Sequence, residues 1–156
     1  MLEAAVIQSD YEIERDKPMP SKHHSFVESN LNFLIRRAYG NKFRIAIEIS
    51  LDLPVREHVP DLGIFQKMPF GEEEIRMSEV PLGVVEILSP TQNVFDLLQK
   101  RREYFNAGVK SYWLVFPELR SVYIYNSPDD YDVFAKNGKL HDRELGIELD
   151  LEEIFA

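Results

Sequence analysis

The chain has 156 residues, 44% apolar and 29% charged, with 18 Lys and Arg against 27 Asp and Glu for a net charge of −9. That length suits one domain over residues 1–156, and the balance is that of a globular chain rather than a disordered one. The absence of cysteine excludes disulfides, thiolate metal sites and cysteine nucleophiles.

Nothing approaches the roughly 18 consecutive apolar residues of a membrane helix. The N-terminal stretch has neither the basic start nor the apolar run of a secretory leader. The expectation is a soluble, cytoplasmic protein with no membrane partner. The acidity disfavours a protein that coats nucleic acid by phosphate neutralisation alone, but it is uneven. Residues 118–156 hold 10 acids and 4 bases, a deficit of six; residues 1–117 hold 17 and 14, a deficit of three. Most of the excess thus lies in a C-terminal segment that can face away from a ligand.

In chain order, residues 5–13 read as an extended segment, followed by a polar turn over 15–20. A helix is predicted from Ser21, with Val27, Leu31, Leu34, Ile35 and Ala38 at helical spacing and Gly40 as its stop. Residues 43–53 alternate apolar and polar as one half-buried strand. Pro60-Asp61 opens a short strand over 62–66, and 71–78 is a polar loop. Residues 81–88 (PLGVVEIL) are apolar except for Glu86, the pattern of a central strand. A second amphipathic helix is predicted over 90–108, with Val94, Leu97, Leu98 and Phe105 inward. Buried strand 111–116, meander strands 122–125 and 131–134, and a short helix over 151–155 follow. The strand–helix–strand crossover over 81–116 requires a parallel pair within a mixed sheet. The fold class is α/β (α+β), a mixed β-sheet flanked by helices.

Chemistry concentrates at a few positions. Glu86 interrupts a buried strand, which costs several kcal/mol unless it is ion-paired or bound to a cation. Asp61 follows a proline, where Pro-Asp often only makes a turn. Adjacent strands could nevertheless bring both acids to one rim. A hard divalent cation resolves the repulsion between such acids, and Mg²⁺ or Mn²⁺ suits a chain without cysteine. Without the ion, neutralising Asp61 should relieve repulsion and stabilise the protein.

Lys100, at the edge of the second helix's apolar face, either snorkels to water or reaches the carboxylates. Asn93 and Asp96 have the spacing of a helix cap. His23 and His24 near the start of the first helix, with Glu28 one turn on, are too few for a zinc site and read as solvent-facing. Glu12 and Glu14 alternate, so at most one faces any site. Glu48, between Ile47 and Ile49, reads as pointing outward. Phosphate-loop, dinucleotide and nucleophile-elbow motifs are absent. Tyr112, Trp113, Phe116, Tyr123 and Tyr125 read as core rather than as a base-stacking platform.

Pro60-Asp61, VVEILSP (84–90), Asp96-x-x-x-Lys100-x-x-x-Tyr104 and AGVKSYWLV (107–115) together resemble the Uma-two family of bacterial endonucleases. That family lies in the PD-(D/E)XK, restriction-endonuclease-like superfamily. YEIERDKPMPSKHHS (11–25) resembles the family's N-terminal signature, with Asp16 where a turn glycine is usual. The resemblance covers roughly residues 10–155. It implies a restriction-endonuclease-like sheet with a metal-dependent phosphodiesterase centre at its edge. Asp61 and Glu86 would then ligate Mg²⁺ or Mn²⁺. The superfamily lysine two residues after the acid is Leu88 here, and its role passes to Lys100. Glu14 or Glu12 would be a helper acid and His24 would lie near the mouth.

The expected function is a metal-dependent endonuclease acting on nucleic acid, DNA first, as a homodimer. One alternative is an inactive nuclease-fold module binding nucleic acid or a protein. The other is a metal-free hydrolase with paired carboxylates, which leaves Lys100 without a role.

Overall fold

The computed structural model of the chain describes residues 9–15 and 17–156, with Glu14 and Arg15 described by their backbone alone. The first element is helix α1 (Asp10–Arg15), where an extended segment is expected from the sequence; residues 1–8 lie outside the described part. A reciprocal cap explains the helix. Ser9 N donates to Glu12 Oε1 at 3.3 Å while Glu12 N donates to Ser9 Oγ at 3.2 Å, the Ser-x-x-Glu capping box.

Helix α2 (Lys22–Tyr39) starts where expected, with Ser21 accepting from His24 N at 3.2 Å. Its stripe of Val27, Leu31, Leu34 and Ile35 is buried. The expected long strand over 43–53 is two pieces, β1 (Phe43–Ile47) and β2 (Leu51–Asp52). The break is Glu48, at φ +50, a left-handed conformation that no strand interior accommodates. The two-residue β3 (Glu57–His58) pairs only with β2.

β4 (Leu62–Gln66) and β5 (Gly83–Ile87) follow, and all five residues of β5, Glu86 included, are buried. Helix α3 (Val94–Asn106) begins later than the apolar pattern suggests, because Asn93 caps it by accepting from Phe95 N at 2.8 Å. Leu97 and Tyr104, rather than Phe105, are its fully buried residues. β6 (Ser111–Phe116), β7 (Ser121–Tyr125) and β8 (Tyr131–Ala135) match the expected strands. The hairpin β9 (Lys139–Asp142) and β10 (Ile147–Asp150) precedes the short helix α4 (Leu151–Ile154).

Six strands form one sheet in the order β1-β4-β5-β6-β7-β8. Only β5 and β6 run parallel, as the crossover through α3 demands. The core has two layers. One side packs Leu31, Ile35, Ile64, Val85, Ile87, Trp113 and Ile154 with α2 and α4. The other packs Val84, Leu97, Tyr104, Tyr112 and Leu114 with α3.

Asp142 ties the β9–β10 hairpin to the sheet. Fully buried, it accepts from Trp113 Nε1 at 2.7 Å, from the Ser111 hydroxyl, from Asn126, and from the backbone N–H of Glu144 and Leu145. A buried carboxylate supplied by five donors needs no cation. Among the described residues no helix is long and apolar enough to cross a membrane.

Candidate functional site

Three acids fall level across three neighbouring strands. β1 and β4 pair up to Ile47–Leu62, and β4 and β5 up to Leu62–Val85. One residue further, Glu48 lies beside Asp61, its N–H donating to Asp61 O at 3.0 Å. Asp61 in turn lies level with Glu86. With strands ~4.8 Å apart, the row is compact, and parity turns Glu86 toward α3 along with Val84.

Asp61 is buried, and protein groups engage both of its oxygens. Oδ1 accepts from Lys17 Nζ at 2.5 Å and lies 3.1 Å from His24 Nε2; Oδ2 accepts from Ile87 N at 2.6 Å. Burial alone would push this carboxyl up, but His24 and Lys17 outweigh it and hold it below the ordinary aspartate range. Lys17 is itself 8% exposed and also contacts Val59 O at 3.3 Å and Glu48 Oε1 at 3.5 Å. Burial disfavours its charge. Asp61, Glu86 and Glu48 together overcome that cost and raise its pKa above the usual lysine value.

Glu86 is supplied quite differently from Asp142. The hydrogen bond reaching it comes from Tyr104 OH at 3.4 Å. Burial first, then the charge of Asp61, pushes it up to about 7, with Lys17 and Lys100 acting in the opposite sense. Glu28 rises likewise to about 7, by burial and then by Asp61 and Glu48. Its Oε1 is buried without a hydrogen-bond partner, as is His24 Nδ1, which sits 4.0 Å from Glu28 Oε2. Among the described residues the four acids Glu28, Glu48, Asp61 and Glu86 gather around Lys17 and a His24 whose pKa is raised because Asp61 overcomes its burial.

Several expectations change here. His24 is buried on Asp61 rather than solvent-facing, whereas His23 is exposed and sits 2.5 Å from Glu118. Glu48 does not point outward: the break after Ile47 turns it inward, where it accepts from Tyr11 OH at 2.6 Å. Lys100 is half-buried on α3 and acts on Glu86 through space; the direct ammonium contact belongs to Lys17. Glu12 is engaged by Ser9, and the side chain of Glu14 lies outside the described residues. Asp96 is exposed in the first turn of α3.

Sequence reasoning missed Lys17 as a site residue. Nothing in the polar turn around Pro18 marks it, since its partner is 44 residues away. A cleft of about 730 Å³ is lined by Lys17, Lys100, Glu12, Arg56, Asp96 and Glu103 among others, and Lys17 joins it to Asp61 and Glu48 of the row. Among the described residues no group of three or more His, Asp or Glu is arranged as a metal shell.

No curated protein matches the sequence. Among solved structures, the fold is similar to that of "a putative nuclease belonging to DUF820 from Anabaena variabilis ATCC 29413". The TM-score is 0.78 at 22% identity over 89% of this chain and 83% of that one. A family profile described as "Putative restriction endonuclease" matches residues 7–153. The chain belongs to that family, Uma2.

Proposed function

We propose that the protein is an endonuclease hydrolysing DNA phosphodiester bonds with a divalent ion, Mg²⁺ or Mn²⁺, held by Asp61 and Glu86. The observation that carries this reading is the transverse row of Glu48, Asp61 and Glu86, joined through Lys17 to a cleft that also bears Lys100. Family membership supports nuclease chemistry. The donors suit a hard ion in kind: they are oxygens, and among the described residues Glu28 Oε1 is a buried oxygen without a hydrogen-bond partner.

When bound, such an ion lowers the pKa of water and offsets charge on the phosphate. The chain's own residues do the rest. Lys100 on the cleft wall attracts the scissile phosphate and offsets the charge that develops on it. Lys17 neutralises Asp61 while no ion is bound and yields that place when one enters. His24 and the Ile87 N–H fix the orientation of Asp61. Glu86, held up at about 7 by burial and by Asp61 while no ion is bound, gives up its proton to act as a ligand, so ion binding strengthens as pH rises. Tyr104 orients Glu86 from α3.

Nicking of supercoiled plasmid in Mn²⁺ tests the reading. Wild type should nick; Glu86→Ala should lose all activity, and Lys100→Ala should fall at least about tenfold. Equal nicking by wild type and Glu86→Ala would overturn it. One observation favours a second reading, a non-catalytic module of the same fold: Lys17, His24 and Ile87 N–H already occupy the oxygens of Asp61. On that reading calorimetry finds no divalent binding, and no nucleic acid is cut.

A further inference from the structure

A second charged feature lies along α2 and β1, outside the carboxylate cluster. A groove of about 680 Å³ runs between the C-terminal half of α2 and β1, and it is lined by Arg36, Arg37, Arg44 and Lys67 with no acid among its walls. On a chain of net charge −9 such a concentration of cations requires a reason. Two of them are already engaged. Arg37 pairs with Glu153 at 3.2 Å, and Lys67 donates to Gly40 O at 2.8 Å. Arg36 and Arg44 have no carboxylate within ion-pair distance among the described residues.

Two phenylalanines stand beside these guanidiniums and are exposed to an unusual degree, Phe33 at 59% and Phe70 at 93%. The Arg37 guanidinium lies 5.2 Å from the Phe33 ring centroid, and that of Arg44 lies 6.0 Å from Phe70. As β1 is the first strand of the sheet order, one of its sides is open.

The groove is also tied along the chain to the carboxylate cluster. Its wall at Ser29 adjoins Glu28, and Arg44 is four residues before Glu48 on the same chain, ~14 Å at ~3.4 Å per strand residue. The groove is thus built on the two elements, α2 and β1, that carry Glu28 and lead into Glu48.

We propose that this groove binds single-stranded nucleic acid, with phosphates on Arg36 and Arg44 and bases stacked on Phe33 and Phe70. The proposal deepens the nuclease reading and rests on it for the nature of the polyanion. Single strands fit better than duplex because an exposed ring offers a stacking face that only an unpaired base can use. Two unpaired guanidiniums are also a small charge with which to hold a duplex against an acidic protein.

Fluorescence anisotropy of labelled oligothymidylate, and of a duplex of equal length, tests this in EDTA, where metal-dependent cleavage is suppressed. Wild type should prefer the single strand. Arg36→Glu/Arg44→Glu should weaken that binding at least about tenfold and reduce the salt slope by about 1.4, two phosphates at ~0.7 each. Phe33→Ala/Phe70→Ala should weaken it about tenfold or more. All four positions lie at the surface or the sheet's edge, and circular dichroism verifies that the variants fold.

The proposal is overturned if both variants bind like wild type, or if duplex is preferred and the phenylalanine variant is neutral. It is also overturned if that variant only dissociates a dimer while oligonucleotide binding is unchanged. Failure here is separable from failure of the nuclease reading. Groove variants that bind normally, beside a Glu86→Ala that no longer nicks plasmid, sink only the groove. Groove variants that lose binding, beside a Glu86→Ala that still nicks, sink only the active-site assignment.

Discussion

Replacing Lys17 by methionine keeps most of the side-chain volume and removes the ammonium that sits 2.5 Å from Asp61. Breaking a buried pair costs about 3–5 kcal/mol, because the remaining charge loses its compensation without regaining water. Here Asp61 retains His24 and the Ile87 N–H, so the low end, about 3 kcal/mol, applies. Asp61→Asn should also destabilise, since it strips Lys17 of its principal partner at a site only 8% exposed. This reverses the sign expected from two apposed acids alone: the structure already places a cation on Asp61, so neutralising the acid removes an attraction along with a repulsion.

At ~2–4 °C per kcal/mol for a chain of this size, each single variant should melt ~6–12 °C below wild type. The double variant removes both charges together and should cost less than the sum by at least ~1.5 kcal/mol, as expected for contacting residues. Urea unfolding followed by circular dichroism gives the four corners of the cycle. Single variants within ~0.5 kcal/mol of wild type, or an additive double variant, would refute the description of the pair as a buried, mutually dependent unit.

Other outcomes follow from the same charges. Glu86 is held up at about 7 in the folded chain against an ordinary value of 4.5. Between those pH values the folded state therefore binds more protons than the unfolded one, and Glu86 lowers stability as pH rises. Glu86→Gln should gain on wild type from pH 4.5 to 7 and level off above; a difference independent of pH in chemical denaturation contradicts this. Asp142→Ala should destabilise by roughly 3 kcal/mol or more, because five donors lose their acceptor. As the residue lies outside the cleft, plasmid nicking by whatever protein remains folded should be unchanged. Tyr104→Phe removes the hydroxyl that donates to Glu86 and should raise the Glu86 pKa further, read as an upshift of the acidic limb of the nicking pH profile.

Much of the sheet is legible in the sequence because its signals are local. Continuous apolar runs mark β5 and β6, and the helix between them dictates their parallel pairing. Asp61 and Glu86 are legible as chemical anomalies, a turn residue at a strand mouth and a charge in a buried strand. Their level placement follows from antiparallel register once β4 and β5 are neighbours.

Other features depend on long-range contacts. Glu48 looks outward only if the strand continues, and the left-handed residue that ends it has no glycine to announce it. His24 near the start of a helix resembles many solvated histidines until Asp61 is packed against it. Lys17 lies in a polar turn whose docking onto the sheet is set by Asp61 and Val59. The α1 helix is marked by the Ser9-x-x-Glu12 capping box, a local pattern that reading residues 5–13 as extended passes over. Hairpin β9–β10 is polar on alternate residues and shows its purpose only through the partners of Asp142.

The central claim is that buried acids on neighbouring strands share a divalent ion, for which Lys17 substitutes when the ion is absent. Anomalous diffraction from Mn²⁺-soaked crystals tests it most directly. The account predicts a manganese peak within bonding reach of both Asp61 and Glu86, with the Lys17 ammonium withdrawn from Asp61. Saturating Mn²⁺ that leaves Lys17 on Asp61 and no peak between the two carboxylates would contradict it.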